Sequence, residues 1–256
     1  MSGVVAIFNR NGAPVDREVL RRVTEFSAHR GPDGVNYWVE GAVGLAHQAL
    51  HATPEAVRER QPLLARDGLV FLTADARIDN RAELLEALGR ETGLSSESTD
   101  AEYILEAYRC WGIEFPAKLI GDFAVIVWDA ARKTLVAARD ALGVRTLHWG
   151  QAGQMLCLAS EAQQVLQHPQ VPRRLDLEAC ADYLTNSYGD EERTFFCDVK
   201  RIPAAHRLIA TPAAVRVERY WDIDPAVTIR YRRDEDYVEH FLGVFRRAVA
   251  DRLRTQ

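Results

Sequence analysis

The sequence predicts a layered α+β domain, and three observations carry that prediction. An uncharged apolar strand opens the chain at Met1-Ser2-Gly3-Val4-Val5-Ala6-Ile7-Phe8. A second dense strand lies mid-chain over residues 121–129. Shorter strand-like runs fall into two groups, with helical patterns outside them. The 256 residues suit one large domain, or one domain with a short appendage.

The opening strand runs from Val4 to Phe8 without a charge, which suits burial on both faces. Asn9-Arg10-Asn11-Gly12 marks a turn. A helix over 16–28 carries Val19, Leu20, Val23 and Phe26 on one side. His29-Arg30-Gly31-Pro32-Asp33-Gly34 closes it in a turn set by Gly and Pro. Strands over 35–39, 42–50 and 69–73 follow. Asn80 is expected to cap a helix, with Glu83 in capping-box spacing. A further helix, seeded by Thr99-Asp100, reaches Trp111. After the strand over 121–129 come strands over 135–138, 146–149 and 155–159, and helices over 161–166 and 175–184. A late strand pair opens at His206 and reaches Tyr220. The last segment, 234–253, is helical, with Val238, Phe241, Leu242, Phe245 and Val249 as a stripe. The chain stops at Arg254-Thr255-Gln256 without a Gly or Pro stop signal, as a cut chain would.

Composition narrows the functional classes. Hydrophobic residues are 47% and charged residues 27%, near the globular average. A net charge of -5 gives no basis for binding nucleic acid or a membrane surface. No apolar run approaches the roughly 18–20 residues of a membrane span, and no secretory pattern opens the chain. Four dispersed cysteines, Cys110, Cys157, Cys180 and Cys197, form no CxxC pair and are expected to be reduced and mostly part-buried. The default compartment is the cytoplasm. His47 and His51 share a face without a third ligand, so metal is not expected.

A buried strand that starts almost at the terminus fits two readings: a sheet strand that happens to come first, or an N-terminal nucleophile hydrolase. In the latter the first residue of the mature chain attacks and its own amine takes the proton. The motifs extend the second reading. Ser2-Gly3-Val4-Val5-Ala6-Ile7-Phe8-Asn9, His29-Arg30-Gly31-Pro32-Asp33-Gly34, Gly121-Asp122-Phe123-Ala124, Ala138-Arg139-Asp140-Ala141-Leu142-Gly143-Val144-Arg145, Ala159-Ser160-Glu161 and Arg219-Tyr220-Trp221 occur in this order. In that series the chain resembles the N-terminal glutaminase domain, a class II glutamine amidotransferase, of asparagine synthetases. The resemblance implies a four-layer αββα sandwich over 1–220. It implies a linker and helix start over 221–256, leading to an ATP-dependent synthetase domain absent from this sequence. No Ser-Gly-Gly-x-Asp-Ser or GxxxxGK[ST] loop occurs, so no cofactor is expected in this chain; ATP and magnesium would belong to the absent domain.

The family's glutamine site is altered here. Ser2 stands where the family has its nucleophilic cysteine. Ser2 could still attack, fill the pocket as a small residue, or be an engineered replacement. Ala49, in His47-Gln48-Ala49-Leu50, replaces the arginine that clamps the glutamine carboxylate, an exchange that is not conservative. Asp75-Ala76-Arg77 aligns with the Asn-Gly-Glu that supplies the oxyanion hole and an amine partner. An ionised Asp75 has no proton to donate, and loss of one such donor costs about 10²–10³ in rate. Arg77 reverses a charge. Asp100 still matches a glutamine-binding position. This pattern resembles β-lactam synthetases and lasso-peptide cyclases, whose amidotransferase domain has lost the cysteine. The expectation is a structural partner of a synthetase domain that takes a peptide or small carboxylate, in a chain that could form a homodimer. A glutamine-hydrolysing domain of a true asparagine synthetase and a stand-alone binding module are the competing readings.

Overall fold

A computed structural model describes residues 1–89, 92–187 and 189–254. Among the described residues, twelve strands form two antiparallel six-stranded sheets. The first sheet holds β1 (Gly3–Asn9), β2 (Gly34–Glu40), β3 (Val43–Ala49), β8 (His148–Ala152), β9 (Met155–Ala159) and β10 (Val199–Arg201). Its spatial order is β10-β8-β9-β1-β3-β2, so β1 is internal. The second holds β4 (Leu63–Leu64), β5 (Val70–Ile78), β6 (Gly121–Asp129), β7 (Thr134–Arg139), β11 (His206–Ala210) and β12 (Val215–Arg219). It runs β12-β11-β7-β6-β5-β4.

The alternation of β1 explains the layering. Val4, Ala6 and Phe8 face the second sheet, where they meet Phe71, Ile126, Trp128 and Leu135. Val5 and Ile7 point the other way, onto Leu20 and Val23 of α1 (Arg17–Glu25) and Val165 of α4 (Ala162–Val165). On the far side of the second sheet, Leu72, Val125 and Val127 pack under α2 (Arg81–Leu88) and α3 (Asp100–Trp111). Helix, sheet, sheet and helix therefore stack in four layers, each sheet burying both faces. α1 is capped by Asp16 and α3 by a capping box of Thr99 and Glu102. α5 (Leu177–Leu184) is capped by Asp176.

Several expectations are corrected. β5 continues five residues past Thr73, because its polar residues Asp75 and Arg77 face a cavity while Ala74 and Ile78 stay in the core. Asn80 does not cap α2 through its side chain. Its amide instead donates to the Lys118 carbonyl at 3.0 Å and accepts from the Ile120 N–H at 2.9 Å, clamping the loop before β6. The strand expected at 146–149 begins only at His148 and runs on to Ala152. Cys110 and Cys197 are exposed, Cys180 is intermediate and Cys157 is buried; all four are free. Burial pushes the Cys157 thiol up to about 12. The turn expected here forms, with the Gly31 carbonyl accepting from the Gly34 N–H at 3.3 Å, and Gly31 also serves close approach: at φ -119° its backbone is ordinary, but an added Cβ would lie 2.8 Å from the Gln48 Cβ. Helix α6 (Asp234–Arg252) forms as expected, yet all five residues of its apolar stripe are exposed. Thr255 and Gln256 lie outside the described residues. Among the described residues, no helix is long and apolar enough to cross a membrane, and no group of metal-ligating side chains gathers.

Gly121 meets two constraints where β6 begins against β5. Its φ is +150°, and a Cβ there would sit 2.1 Å from the Arg77 carbonyl. Gly121→Ala is expected to destabilise the chain by about 2 kcal/mol or more, read from urea midpoints. Acid is expected to destabilise the fold as well. Burial lowers His47 and His148 from 6.5 to about 4. The unfolded chain binds those protons more readily, so stability is full above pH 6.5 and drains as pH falls toward about 4. His148→Gln should flatten that decline in thermal melts; an unchanged pH slope would refute it.

Candidate functional site

The cavity lies where the two sheets meet, at the N-terminal end of β1. It holds about 210 Å³ and is lined by Ser2, Leu50, Thr53, Glu59, Gln61, Asp75, Ala76, Arg77, Asp100 and Arg145, among others. Each side chain arrives for a local reason. β1 delivers Ser2 because Gly3 already pairs with Gln48 of β3. β5 delivers Asp75, Ala76 and Arg77 in its long pairing with β6. The capped start of α3 delivers Asp100.

Ser2 is held, not free. Its hydroxyl accepts from the Leu50 N–H at 3.1 Å and faces the Leu50 carbonyl at 3.4 Å. The Ser2 N–H donates to Asp75 Oδ1 at 3.2 Å, and the Ser2 carbonyl accepts from Arg30 at 3.0 Å. Arg30 also donates to Glu161 at 2.6 Å. Burial alone would raise Glu161, but Arg30 and Ser27 hold it below the usual carboxylate range. The Arg30 segment is thus more than a turn: it gives a hydrogen bond to the carbonyl just before β1.

Asp75 is 6% exposed. Burial pushes its carboxyl up, against the pull of Arg145, the terminal amine, Arg30 and the Ser2 N–H. Arg145 pairs with it at 3.7 Å. The loop carrying Arg145 is built for that task. Buried Asp140 accepts from the N–H groups of Leu142, Val144 and Arg145 at 3.2, 2.9 and 3.0 Å. The Arg139 guanidinium donates to the carbonyls of Arg145, Ile202 and Gly143. The signature from Ala138 to Arg145 is therefore a self-bonded loop aimed at Asp75.

The expected site residues do not all meet. Ser2, Asp75, Ala76, Arg77 and Asp100 line the cavity, whereas Ala49 is buried outside its lining. The Arg77 guanidinium, from the cavity wall, lies 3.7 Å from Asp79 and donates to the Asp251 carbonyl at 3.0 Å. Asp100 accepts from Arg81 at 2.7 Å and from Arg254 at 2.7 and 3.0 Å. Glu59 is raised by burial, and Gln61 donates to it at 2.5 Å. Arg30 and Arg145 sit in motifs that the sequence displays, but nothing local says what they touch. Arg81 and Arg254 carry no sequence signal at all.

The Glutamine amidotransferase domain model matches residues 1–221 of the chain. The chain belongs to this family. The amidotransferase domain is 26% identical over 262 residues to asparagine synthetase [glutamine-hydrolyzing] 2 of Bacillus subtilis, covering 98% of this chain and 34% of that protein. It is 28% identical over 239 residues to amidase chyE of Penicillium rubens, covering 92% of this chain and 35% of the relative. The chain thus spans about a third of these curated relatives. The glutamine phosphoribosylpyrophosphate amidotransferase of Bacillus subtilis, solved with ADP and GMP, superposes at a TM-score of 0.59 and 16% identity, covering 86% of this chain and 49% of that one. That likeness bears on fold alone, and it agrees with the αββα layering.

The pair of Asp75 and Arg145 gives a stability test. Arg145→Ala leaves a buried carboxylate with less compensation, so it is expected to cost about 2 kcal/mol at neutral pH. The penalty should shrink as acid protonates Asp75, because the neutral carboxyl no longer needs the guanidinium. Urea melts of the variant across pH test this; a penalty independent of pH would remove Asp75 from the account.

Proposed function

We propose that this amidotransferase domain no longer hydrolyses glutamine and serves as the structural N-terminal part of an asparagine-synthetase-like, ATP-dependent amide-forming ligase. The observation that carries the reading is Asp75, the carboxylate bonded to the Ser2 N–H. An N-terminal nucleophile needs its own amine neutral, so that it can take the hydroxyl's proton. In this chain Met1 precedes Ser2, so that nitrogen is a peptide nitrogen. Removing Met1 would create an ammonium beside Asp75, and the ion pair would favour the charged amine over the base.

The electrophile's side is equally unsuited. An oxyanion forming next to Ser2 would face the Asp75 carboxyl where the family places an Asn donor. Arg145, which lines the cavity, is engaged with Asp75, and Arg30 with the Ser2 carbonyl and Glu161. The substrate carboxylate has no counterpart at Ala49, and Arg77 points to the C-terminal segment. A ligase that closes an amide with an amine already on its substrate needs no ammonia, as in the lasso-peptide cyclases and β-lactam synthetases that the sequence resembles. In this reading a synthetase domain of the same protein binds ATP, magnesium and a peptide or small carboxylate, and the chain itself holds no cofactor. The cytoplasm is the proposed compartment.

The second reading is glutamine hydrolysis, favoured by the names of the Bacillus subtilis relatives. Ammonia and glutamate release separates the two. The chain, and Ser2→Cys with Met1 removed, are expected to release neither product above background. Release restored by Ser2→Cys alone would overturn the proposal and return the domain to the hydrolysing class.

A further inference from the structure

The C-terminal segment crosses back to the cavity on ionic contacts. α6 buries none of its residues, yet the stretch that ends it meets the domain through a series of charged groups. Arg254 donates to both Asp100 oxygens at 2.7 and 3.0 Å, to Glu55, and to the Ile78 carbonyl at 3.3 Å. Arg252 reaches Asp79 at 2.8 Å and also pairs with Asp122. The Asp251 carbonyl accepts from Arg77 at 3.0 Å. Arg247 pairs with Glu83.

The receiving surface is arranged for this. Asp79 and Asp122 stand side by side, both nearly buried, and Glu55 and Asp100 form a second nearly buried pair. Two adjacent buried carboxylates repel unless a cation joins them. Arg81 supplies one guanidinium to Glu55 and Asp100, at 3.2 and 2.7 Å. Arg252 and Arg254 supply the others. Arginine suits the task, since its planar fork can bridge two carboxylates at once.

We propose that the acidic surface that begins at Asp100 in the cavity and continues beside it through Glu55, Asp79 and Asp122 is a docking site for the chain's own C-terminal segment, with Arg252 and Arg254 as its two anchors. The segment then occupies Asp100, the remaining glutamine-binding position, and fixes where α6 leaves the domain. This goes beyond the loss of hydrolysis and is read by distance rather than by ammonia, so either proposal can fail alone.

The test is a distance distribution between spin labels at Ala117→Cys and Glu239→Cys, with Cys110, Cys180 and Cys197 replaced by Ser. The expected result is a narrow distribution at low salt. It should broaden in Arg252→Ala/Arg254→Ala, and in high salt, which screens exposed and partly exposed pairs. The docked population should fall by about tenfold or more in the double variant. Arg233→Ala, which removes only a pairing inside the first turn of α6 with Asp236, should leave the distribution narrow. A broad distribution in the parent, or a narrow one unmoved by the double variant, would overturn the proposal. Circular dichroism of the double variant confirms that its fold is retained.

Discussion

A strand buried on both faces cannot start near a chain end unless its first polar groups find partners. β1 meets that requirement at Ser2. The N–H goes to Asp75 on the opposite sheet, the carbonyl to Arg30, and the hydroxyl to the backbone of Leu50. An unpaired buried amide or carbonyl costs about 1–3 kcal/mol, so these bonds hold the two sheets in register at the one point where the chain could fray. They also bring a carboxylate into the interior. Asp75 in turn requires Arg145, and Arg145 requires the loop tied by Asp140 and Arg139. Much of the cavity's architecture follows from that sequence of obligations.

The same obligations give the signature residues structural roles of their own. Arg30, Gly31, Asp140 and Gly121 all touch the cavity's supports, and each has a structural reason to be what it is. Gly31 must be small because β3 passes close by, and Gly121 because the Arg77 carbonyl does. The carboxylates gathered at and beside the cavity have to be answered by cations. In this chain guanidinium groups answer them: Arg145 inside the cavity, Arg81 on α2, and Arg252 and Arg254 from the far end of the sequence.

Most of the fold was legible because it follows local rules. The uncharged run of β1 and the helix seeded by Thr99-Asp100 appear in the residues themselves, and the structure bears them out. Asn80 shows the limit of such rules. Its spacing with Glu83 satisfies a capping pattern, but the loop before β6 competes for the same side chain and wins two hydrogen bonds. β5 shows another: its polar half does not look like a strand, because the cavity that tolerates Asp75 and Arg77 is made by distant residues.

By itself the sequence determined the order of most elements, the α+β layering through its two groups of apolar strands, and which residue types stand at Ser2, Ala49, Asp75 and Arg77. Those properties reside in single residues or short spacings. Only the tertiary structure decided which charges meet. It joined Ser2 to Asp75 across 73 positions and Asp100 to Arg254 across 154. It left Ala49 outside the lining and the stripe of α6 uncovered. The physical reason is that a charge takes its partner from whatever folding brings within a few ångströms, and burial strengthens that choice, whereas spacing along the chain reports only neighbours on one helix or strand.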